Sequence, residues 1–225
     1  MGCLKTATDA FGNEFNCQVE ETERLKRLQR KSIRQLAAAG MDFSVKKKDR
    51  KKVNRSNNWY KTQKQIRKEY AKMDRMKDRM AIDIVHTVLS ENRIVIIQDE
   101  NLTGWKGNGH GKKVQHGVLG RIKKRLMSSD QVHVINRWVP TTQLCTNCGS
   151  MHKDIKEKDR NFKCPHCGHD DGERDSHSGR NMIWLYVNMP DIIGLDGSEF
   201  KRSEFDEVLQ SMFSELIIEQ GSGSA

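Results

Sequence analysis

Two pairs of cysteines in the second half of the chain have the spacing of a metal site. Each pair forms a C-x-x-C-G segment, and together they read C-x2-C-x15-C-x2-C. The four residues are Cys145, Cys148, Cys164 and Cys167. This spacing is typical of zinc ribbons, in which four thiolates fill every position around one Zn²⁺ ion, so the site is structural. The alternative, four free thiols, would leave the polar segment between the pairs without a core to fold it.

The other two cysteines and the nearby histidines fit no ligand pattern. Cys3 and Cys17 lie far from the ribbon in sequence, and we expect each to be a buried thiol on a short strand. With four thiolates already assigned to the metal, His152, His166 and His169 are interpreted as surface residues.

Acidic residues at two positions could bind a divalent cation. Asp99 and Glu100 follow the β-branched run 93–98, which predicts a strand buried on both faces. Carboxylates at the end of a buried strand are often metal ligands, although an exposed turn with two solvated acids would give the same pattern. Asp175 precedes an apolar pattern that predicts a helix through Tyr186, and it could simply be the N-cap of that helix.

Turn signals and apolar periodicity predict the elements that position these residues. They are a β-hairpin of strands 3–8 and 14–19, helices 20–39, 56–91 and 114–127, and a strand 131–136. The helix predicted over 56–91 carries apolar residues seven apart, which indicates packing on a partner, and we expect helix 20–39 to be that partner. The heptad and its flanking positions are Trp59, Ile66, Met73, Met80, Tyr70, Ile84 and Val88. The matching positions of helix 20–39 are Leu25, Leu28, Ile33 and Leu36.

The charge balance favours a polyanionic partner. The chain carries a net charge of +10 and has a sequence pI of about 9.4. Ten cations between the two predicted helices and along the second are candidate nucleic-acid contacts: Lys47, Lys48, Arg50, Lys51, Lys52, Lys64, Arg67, Lys68, Lys72 and Arg75. The surface of that helix is rich in further cations, including Lys77 and Arg79. A solvated helix face in a merely basic protein is the alternative.

Sequence features of membrane insertion and export are missing. No stretch approaches the roughly 20 apolar residues of a membrane span, and the first residues do not resemble a signal peptide. We therefore expect a cytoplasmic protein.

Four motifs in a fixed order resemble the TnpB family, the RNA-guided nucleases of insertion sequences that are related to miniature type V CRISPR nucleases. The motifs are residues 98–105, residues 140–145, the two C-x-x-C-G segments and residues 174–182. The resemblance implies an α/β chain with an RNase H-like RuvC domain, a long basic helical hairpin and an inserted zinc ribbon. It implies DNA endonuclease activity, with guide RNA and target DNA as partners. It also implies that Glu100 and Asp175 are catalytic carboxylates that bind Mg²⁺.

The resemblance also implies domain boundaries. They are a RuvC-like domain at 1–139 that contains the hairpin 20–91, the zinc ribbon at 140–172, a final RuvC helix at 173–190, and a C-terminal extension with a flexible end at 191–225.

The chain departs from the family pattern at three places. The first catalytic Asp of the family stands two residues before a glycine that matches Gly2, so it would precede Met1, and Asp9 is a poor substitute. We therefore expect the chain alone to lack nuclease activity. Ser176 and Gly179 replace a larger apolar residue and an alanine, and a helical Gly costs about 1 kcal/mol relative to Ala, which indicates relaxed constraint.

Three functions follow from these observations. The first is the RuvC and zinc-ribbon part of a TnpB-type endonuclease, and the second is a nuclease-dead, nucleic-acid-binding or regulatory remnant of that family. The third is a zinc-stabilised interaction module without a nucleic-acid role, against which the basic hairpin argues.

Overall fold

A computed structural model describes residues 6–92, 94–99, 117–155, 159–191 and 211 of the chain. The elements in chain order are β1 Thr6–Thr8, β2 Glu14–Asn16, α1 Glu23–Ala38, α2 Asn57–Glu91, β3 Val95–Gln98, α3 Leu119–Leu126, β4 Val132–Ile135, β5 Asn161–Lys163, β6 Asp170–Glu173 and α4 Arg174–Asn188. Two compact units can be separated: residues 19–80, and residues 1–18 together with 81–225.

In the unit 19–80, the ends of α1 are set by local hydrogen bonds. Thr22 is the N-cap, and its Oγ1 accepts a hydrogen bond from Leu25 N at 3.2 Å. The helix therefore begins at Glu23, three residues later than predicted. It ends at Ala38, two residues before Gly40, whose φ of 90° is a conformation that glycine adopts without strain, and Gly40 N donates to Ala37 O at 2.9 Å.

Side-chain hydrogen bonds join α1 to α2 in this unit, as the heptad predicts. Gln63 Nε2 donates to the buried Ser32 Oγ at 2.6 Å, and Gln29 Nε2 donates to Tyr70 Oη at 2.9 Å. Leu25 on α1 and the heptad residues Ile66 and Met73 on α2 are buried.

Three side chains in this unit lie where periodicity alone does not predict them. Ile33 and Tyr70, expected on the packed faces, are exposed, whereas Lys77, expected on the solvated face, is buried. Glu69 is also buried, and its Oε1 lies 3.3 Å from Arg24 Nε and 3.0 Å from Lys72 Nζ. The helix pair thus buries charged side chains as well as an apolar seam.

The other unit contains three two-stranded sheets among its described residues. Strands β1 and β2 pair antiparallel, β5 and β6 pair antiparallel, and β3 pairs parallel to β4 with Val95 opposite Val132. Helix α3 lies between β3 and β4 in the chain and makes the crossover that a parallel pair requires. The prediction that β3 is buried on both faces was wrong, because Ile96 and Ile97 are only half-buried beside the buried Val95.

The segment before α3 pairs with the end of the N-terminal hairpin. Gly117 forms an antiparallel bridge with Gln18, and Val118 N donates to Cys17 O at 2.8 Å. Helix α3 therefore begins at Leu119, later than predicted. Cys17 is buried as expected but lies outside a strand, and burial raises the pKa of its thiol to about 11. Cys3 lies outside the described residues.

Helix α4 packs against strands of all three sheets: β1, β3, β5 and β6. Its apolar side joins a core cluster with the end of β4 and the segment that follows it. The buried members are Ile135, Val139, Leu144, Leu185 and Met189. The helix therefore links the N-terminal hairpin, the parallel strand pair and the hairpin β5–β6.

Close backbone contact between α4 and the turn of the β1–β2 hairpin requires a glycine. A Cβ atom added to Gly179 would lie 2.8 Å from Ala10 Cα and 2.9 Å from Ala10 N. These atoms belong to the backbone, so no side chain can move aside to accept an alanine. The inference that Gly179 indicates relaxed constraint was therefore wrong, since the contact excludes any larger residue.

We expect Gly179→Ala to lower the free energy of unfolding by about 1–3 kcal/mol, because overpacking against Ala10 outweighs the gain in helix propensity. The matched control is Gly120→Ala in α3, at an exposed helical position, which should be neutral or stabilising by up to about 1 kcal/mol. Thermal unfolding followed by circular dichroism measures both variants. Equal stability of the two variants would contradict the steric argument.

Candidate zinc site and the helix that follows it

Four cysteine sulfur atoms come together between β4 and α4. All four Sγ atoms lie within 4.8 Å of one another. Cys145 Sγ is 3.7 Å from Cys167 Sγ, and Cys148 Sγ is 3.7 Å from Cys164 Sγ. The cysteines are free, and these distances are well beyond the roughly 2.05 Å of a disulfide bond.

Each cysteine pair is shaped by a tight backbone turn. Gly149 N donates to Cys145 O at 2.7 Å, and Gly168 N donates to Cys164 O at 3.0 Å. Both glycines have positive φ, 70° and 74°, which a residue with a side chain adopts only with strain. The glycine after each pair therefore lets two thiols face the same point.

The geometry fits one tetrahedral zinc ion. A Zn–S bond of about 2.3 Å places the sulfur atoms of a tetrahedron about 3.8 Å apart, close to the two Sγ distances above. The site would hold zinc with four thiolates and no open position, which makes its role structural. The thiols differ in environment: burial raises the pKa of Cys145, whereas hydrogen bonds from Asn147 Nδ2 and the His169 backbone lower that of Cys167 to about 6.

His152 is closer to the cysteine cluster than the sequence indicates. It is half-buried, and its Nε2 lies 3.1 Å from Cys164 Sγ. The expectation that it is a surface residue was wrong, and its ring is placed to donate a hydrogen bond to the sulfur. His166 and His169 are exposed, as expected.

The hairpin β5–β6 docks on α4 through a buried histidine. The His177 ring stacks on Phe162 of β5, with centroids 3.6 Å apart and an angle of 12° between the ring planes. Its Nδ1 lies 2.5 Å from Asp171 Oδ2, and its Nε2 lies 3.0 Å from Asn181 Nδ2. Burial lowers the pKa of His177 against the opposing effect of Asp171, and the carboxylate beside Nδ1 makes that nitrogen the donor of the His177–Asp171 hydrogen bond.

Sequence reasoning missed this histidine because two of its contacts come from the separate hairpin β5–β6. The spacing of His177 and Asn181 places them on one helix face, but nothing in the sequence indicates Asp171 or Phe162 as partners. Asn181 Nδ2 also lies 2.8 Å from both Thr141 O and Leu144 O, so it fixes the segment that leads into the first cysteine pair. The ribbon and α4 therefore form one hydrogen-bonded assembly.

Asp175 lies in the first turn of α4, immediately after the ribbon. The N-cap is Glu173, whose Oε2 accepts hydrogen bonds from Ser176 N at 2.7 Å and from Ser176 Oγ at 3.0 Å. The alternative that Asp175 caps the helix was therefore wrong. Its half-buried carboxylate lies 3.5 Å from Arg174 Nη2. Glu100 lies outside the described residues.

Asp99, the neighbour of Glu100, forms ion pairs with two basic side chains. Its carboxylate pairs with Lys123 of α3 and lies 2.6 Å from Arg137 Nη2. The hydrogen bond from Lys123 and the nearby Arg137 charge hold the pKa of Asp99 below its usual value. Asp99 therefore stabilises the end of β3 as an ion-pair partner.

A polar relay connects the end of β3 to α4. Thr141 Oγ1 lies 3.2 Å from Gln98 Oε1 and 2.7 Å from Ser178 Oγ. Gln98 also donates from Nε2 to Val139 O at 2.7 Å. Gln98 is two residues before Glu100, and Ser178 is about one helical turn after Asp175. The relay therefore fixes backbone close in sequence to both predicted carboxylates.

Among the ten candidate nucleic-acid contacts, nine side chains are exposed. The exception is Arg50, which donates from Nε to Val45 O at 2.9 Å and packs over the Phe43 ring at 4.8 Å. On α1, a cleft of about 600 Å³ is lined by three further cations that the sequence analysis did not select, together with two neutral residues. Its described lining residues are Arg27, Lys31, Arg34, Gln35 and Ala38.

The ribbon and the helix after it match a known domain. Residues 124–182 match the family described as Cas12f1-like, TNB domain. The matched segment contains all four cysteines and Asp175. No curated protein matches the chain. The match spans 59 of the 225 residues, and over this segment it confirms the resemblance drawn from the cysteine pairs and from residues 174–182.

None of the described helices has the length and apolar character needed to cross a membrane.

We expect Cys145→Ser to abolish stoichiometric zinc binding and unfold the ribbon, because three thiolates leave the metal incompletely bound and the ribbon depends on it. Zinc content by mass spectrometry and thermal unfolding are the measurements. Cys17→Ser, at a buried cysteine outside the cluster, is the control and should keep one zinc per chain. Full zinc occupancy in Cys145→Ser would contradict the assignment.

Proposed function

We propose that this chain is the RuvC and zinc-ribbon portion of a TnpB-type RNA-guided DNA endonuclease. The observation that carries the proposal is the TNB-domain match over 124–182, in which a four-cysteine cluster directly precedes the helix with Asp175. In this proposal the RuvC portion has an RNase H-like fold, to which the parallel pair β3–β4 and the packing of α4 on β3 would belong.

Glu100 and Asp175 would hold Mg²⁺ in this proposal. A bound Mg²⁺ supplies an activated water and stabilises the leaving oxygen in phosphodiester hydrolysis. The relay Gln98–Thr141–Ser178 supports this assignment, because it ties the strand that leads to Glu100 to the helix that carries Asp175. Asp99 would be left to balance Lys123 and Arg137, since both of its oxygens already contact cations.

The basic helical hairpin would bind the phosphates of guide RNA or target DNA. Exposed cations of one sign along a long helix repel each other unless they meet a polyanion. Lys64 and Lys68 lie one helical turn apart on α2 and are both exposed. They are suitable test positions because neither belongs to the ion-pair group around Glu69.

A nuclease-dead, nucleic-acid-binding member of the same family is the second candidate. The position of Asp9 favours it, since this residue is the acidic side chain nearest in sequence to Gly2, before which the family pattern places its first carboxylate. Asp9 Oδ1 accepts hydrogen bonds from Phe11 N and Asn13 N, and Oδ2 accepts one from Asn13 Nδ2. Its oxygens thus serve the turn and do not substitute for a metal ligand.

For binding, we expect the double variant Lys64→Ala/Lys68→Ala to reduce the slope of log K against log salt by roughly 2 for duplex DNA, about 0.9 for each lost phosphate contact. Fluorescence anisotropy across a salt series measures the slope. Lys64→Arg/Lys68→Arg keeps both charges and should retain the wild-type slope. An unchanged slope in the alanine variant would show that these lysines do not contact phosphate.

For catalysis, we expect residues 1–225 on their own not to cut DNA in the presence of Mg²⁺, because both carboxylate oxygens of Asp9 are engaged in its turn. Cleavage of a labelled DNA substrate is measured with and without a family N-terminal half that supplies the first carboxylate. Activity restored by that half and lost in Asp175→Asn supports the endonuclease, and no activity in either mixture supports the nuclease-dead candidate. Mg²⁺-dependent cleavage by the chain alone that is lost in Glu100→Ala would contradict this expectation.

A further inference from the structure

Phe11, at the tip of the β1–β2 hairpin, is the most exposed large hydrophobic side chain among the described residues. It is 80% exposed, compared with 69% for Val187, the next in order. The residues around it in the turn are Ala10, Gly12 and Asn13, which are small or polar. Within the turn, the ring is therefore the one large apolar group.

The turn that carries Phe11 is held by its own hydrogen bonds. Asp9 Oδ1 accepts from Phe11 N at 2.9 Å and from Asn13 N at 2.8 Å, and Gly12 N donates to Asp9 O at 3.2 Å. Asp9 N in turn donates to Asn13 O at 3.1 Å. Because both sides of the turn are bonded to Asp9, the backbone at Phe11 has little freedom.

The same turn is held against the first turns of α4. Ala10 meets Gly179 so closely that a Cβ atom would not fit, and Arg180 Nη1 donates to Ala10 O at 3.2 Å. On the other side of Phe11, a Cβ atom at Gly12 would lie 3.8 Å from Ser176 Oγ. Phe11 thus follows a residue in contact with α4 and precedes one that lies near Ser176, which directly follows Asp175.

We propose that Phe11 is a stacking platform for an unpaired nucleobase of the strand that passes Asp175, an inference that rests on the proposed nucleic-acid function. A preorganised, exposed aromatic ring is suited to stacking, since every base has a π-face and little ordering is needed on binding. A protein partner would require a wider apolar surface, because interface cores contain several buried side chains around an anchor. The net charge of +10 favours the nucleic acid as well.

The test measures binding of the full zinc-loaded chain to a fluorescent single-stranded oligothymidylate and to an oligonucleotide of the same length made of abasic nucleotides. We expect Phe11→Ala to bind the oligothymidylate about 5- to 150-fold more weakly than wild type, as for the loss of one stacked base. Binding to the abasic strand should not change, because it offers phosphates and no bases. Phe11→Trp should restore binding to the oligothymidylate.

Val187→Ala is the matched control, since it removes the second most exposed apolar side chain from the same unit and should bind both strands like wild type. Thermal unfolding of Phe11→Ala should match wild type, because the exposed ring contributes little to the core.

The outcomes separate the two proposals. If wild type binds neither strand, the proposed nucleic-acid function fails, and this inference fails with it. If wild type binds but Phe11→Ala behaves like Val187→Ala, only the stacking inference is overturned. Equal weakening on both strands would also overturn it, as would concentration-dependent self-association that is lost in Phe11→Ala without any effect on oligothymidylate binding.

Discussion

The meeting of four cysteine sulfur atoms is the constraint on which the second half of the chain depends. The buried core of the ribbon consists of Cys145, Phe162 and Cys164, with few apolar neighbours. Such a core is too small to order the segment by itself, and a zinc ion held by the four thiolates would supply the missing free energy. Helix α4 follows β6 without a linker, so the direction in which Asp175 leaves the ribbon depends on the same metal site.

Two contacts of different kinds then determine the position of α4. On one side, the His177 ring stacks on Phe162 and lies within hydrogen-bond distance of Asp171 and Asn181. Because hydrogen bonds depend on angle, this contact is directional. On the other side, Gly179 and Ala10 make a backbone contact in which distance alone matters. A stacked ring with two hydrogen bonds sets rotation about the helix axis, whereas a close backbone approach sets separation. Together they determine where a carboxylate in the first turn can lie.

The sequence predicted the features that residues close together in the chain determine. It missed the contacts between elements that are far apart in the chain. The cysteine spacing predicted the cluster, because two residues between thiols fix how far apart they can be. The apolar heptad predicted α2 to within a residue at either end, since periodicity over 35 residues leaves little ambiguity. In contrast, the exposure of Ile33, the burial of Lys77 and the partial burial of His152 depend on which face a neighbouring element covers. The role of Gly179 could not be read from helix propensity, because the reason for the glycine is a turn far away in the sequence.

That separation in sequence has a consequence for the order of events during synthesis. Arg180 and Ala10, which hydrogen-bond in the folded chain, are 170 residues apart. At a synthesis rate of about 5–20 residues per second, roughly 10–30 seconds would pass between the synthesis of the hairpin turn and that of the helix that contacts it. The ribbon is synthesised immediately before that helix, so metal capture and helix docking would follow the synthesis of all the earlier elements. A cell short of zinc would therefore accumulate chains whose N-terminal elements are folded but whose α4 has not docked.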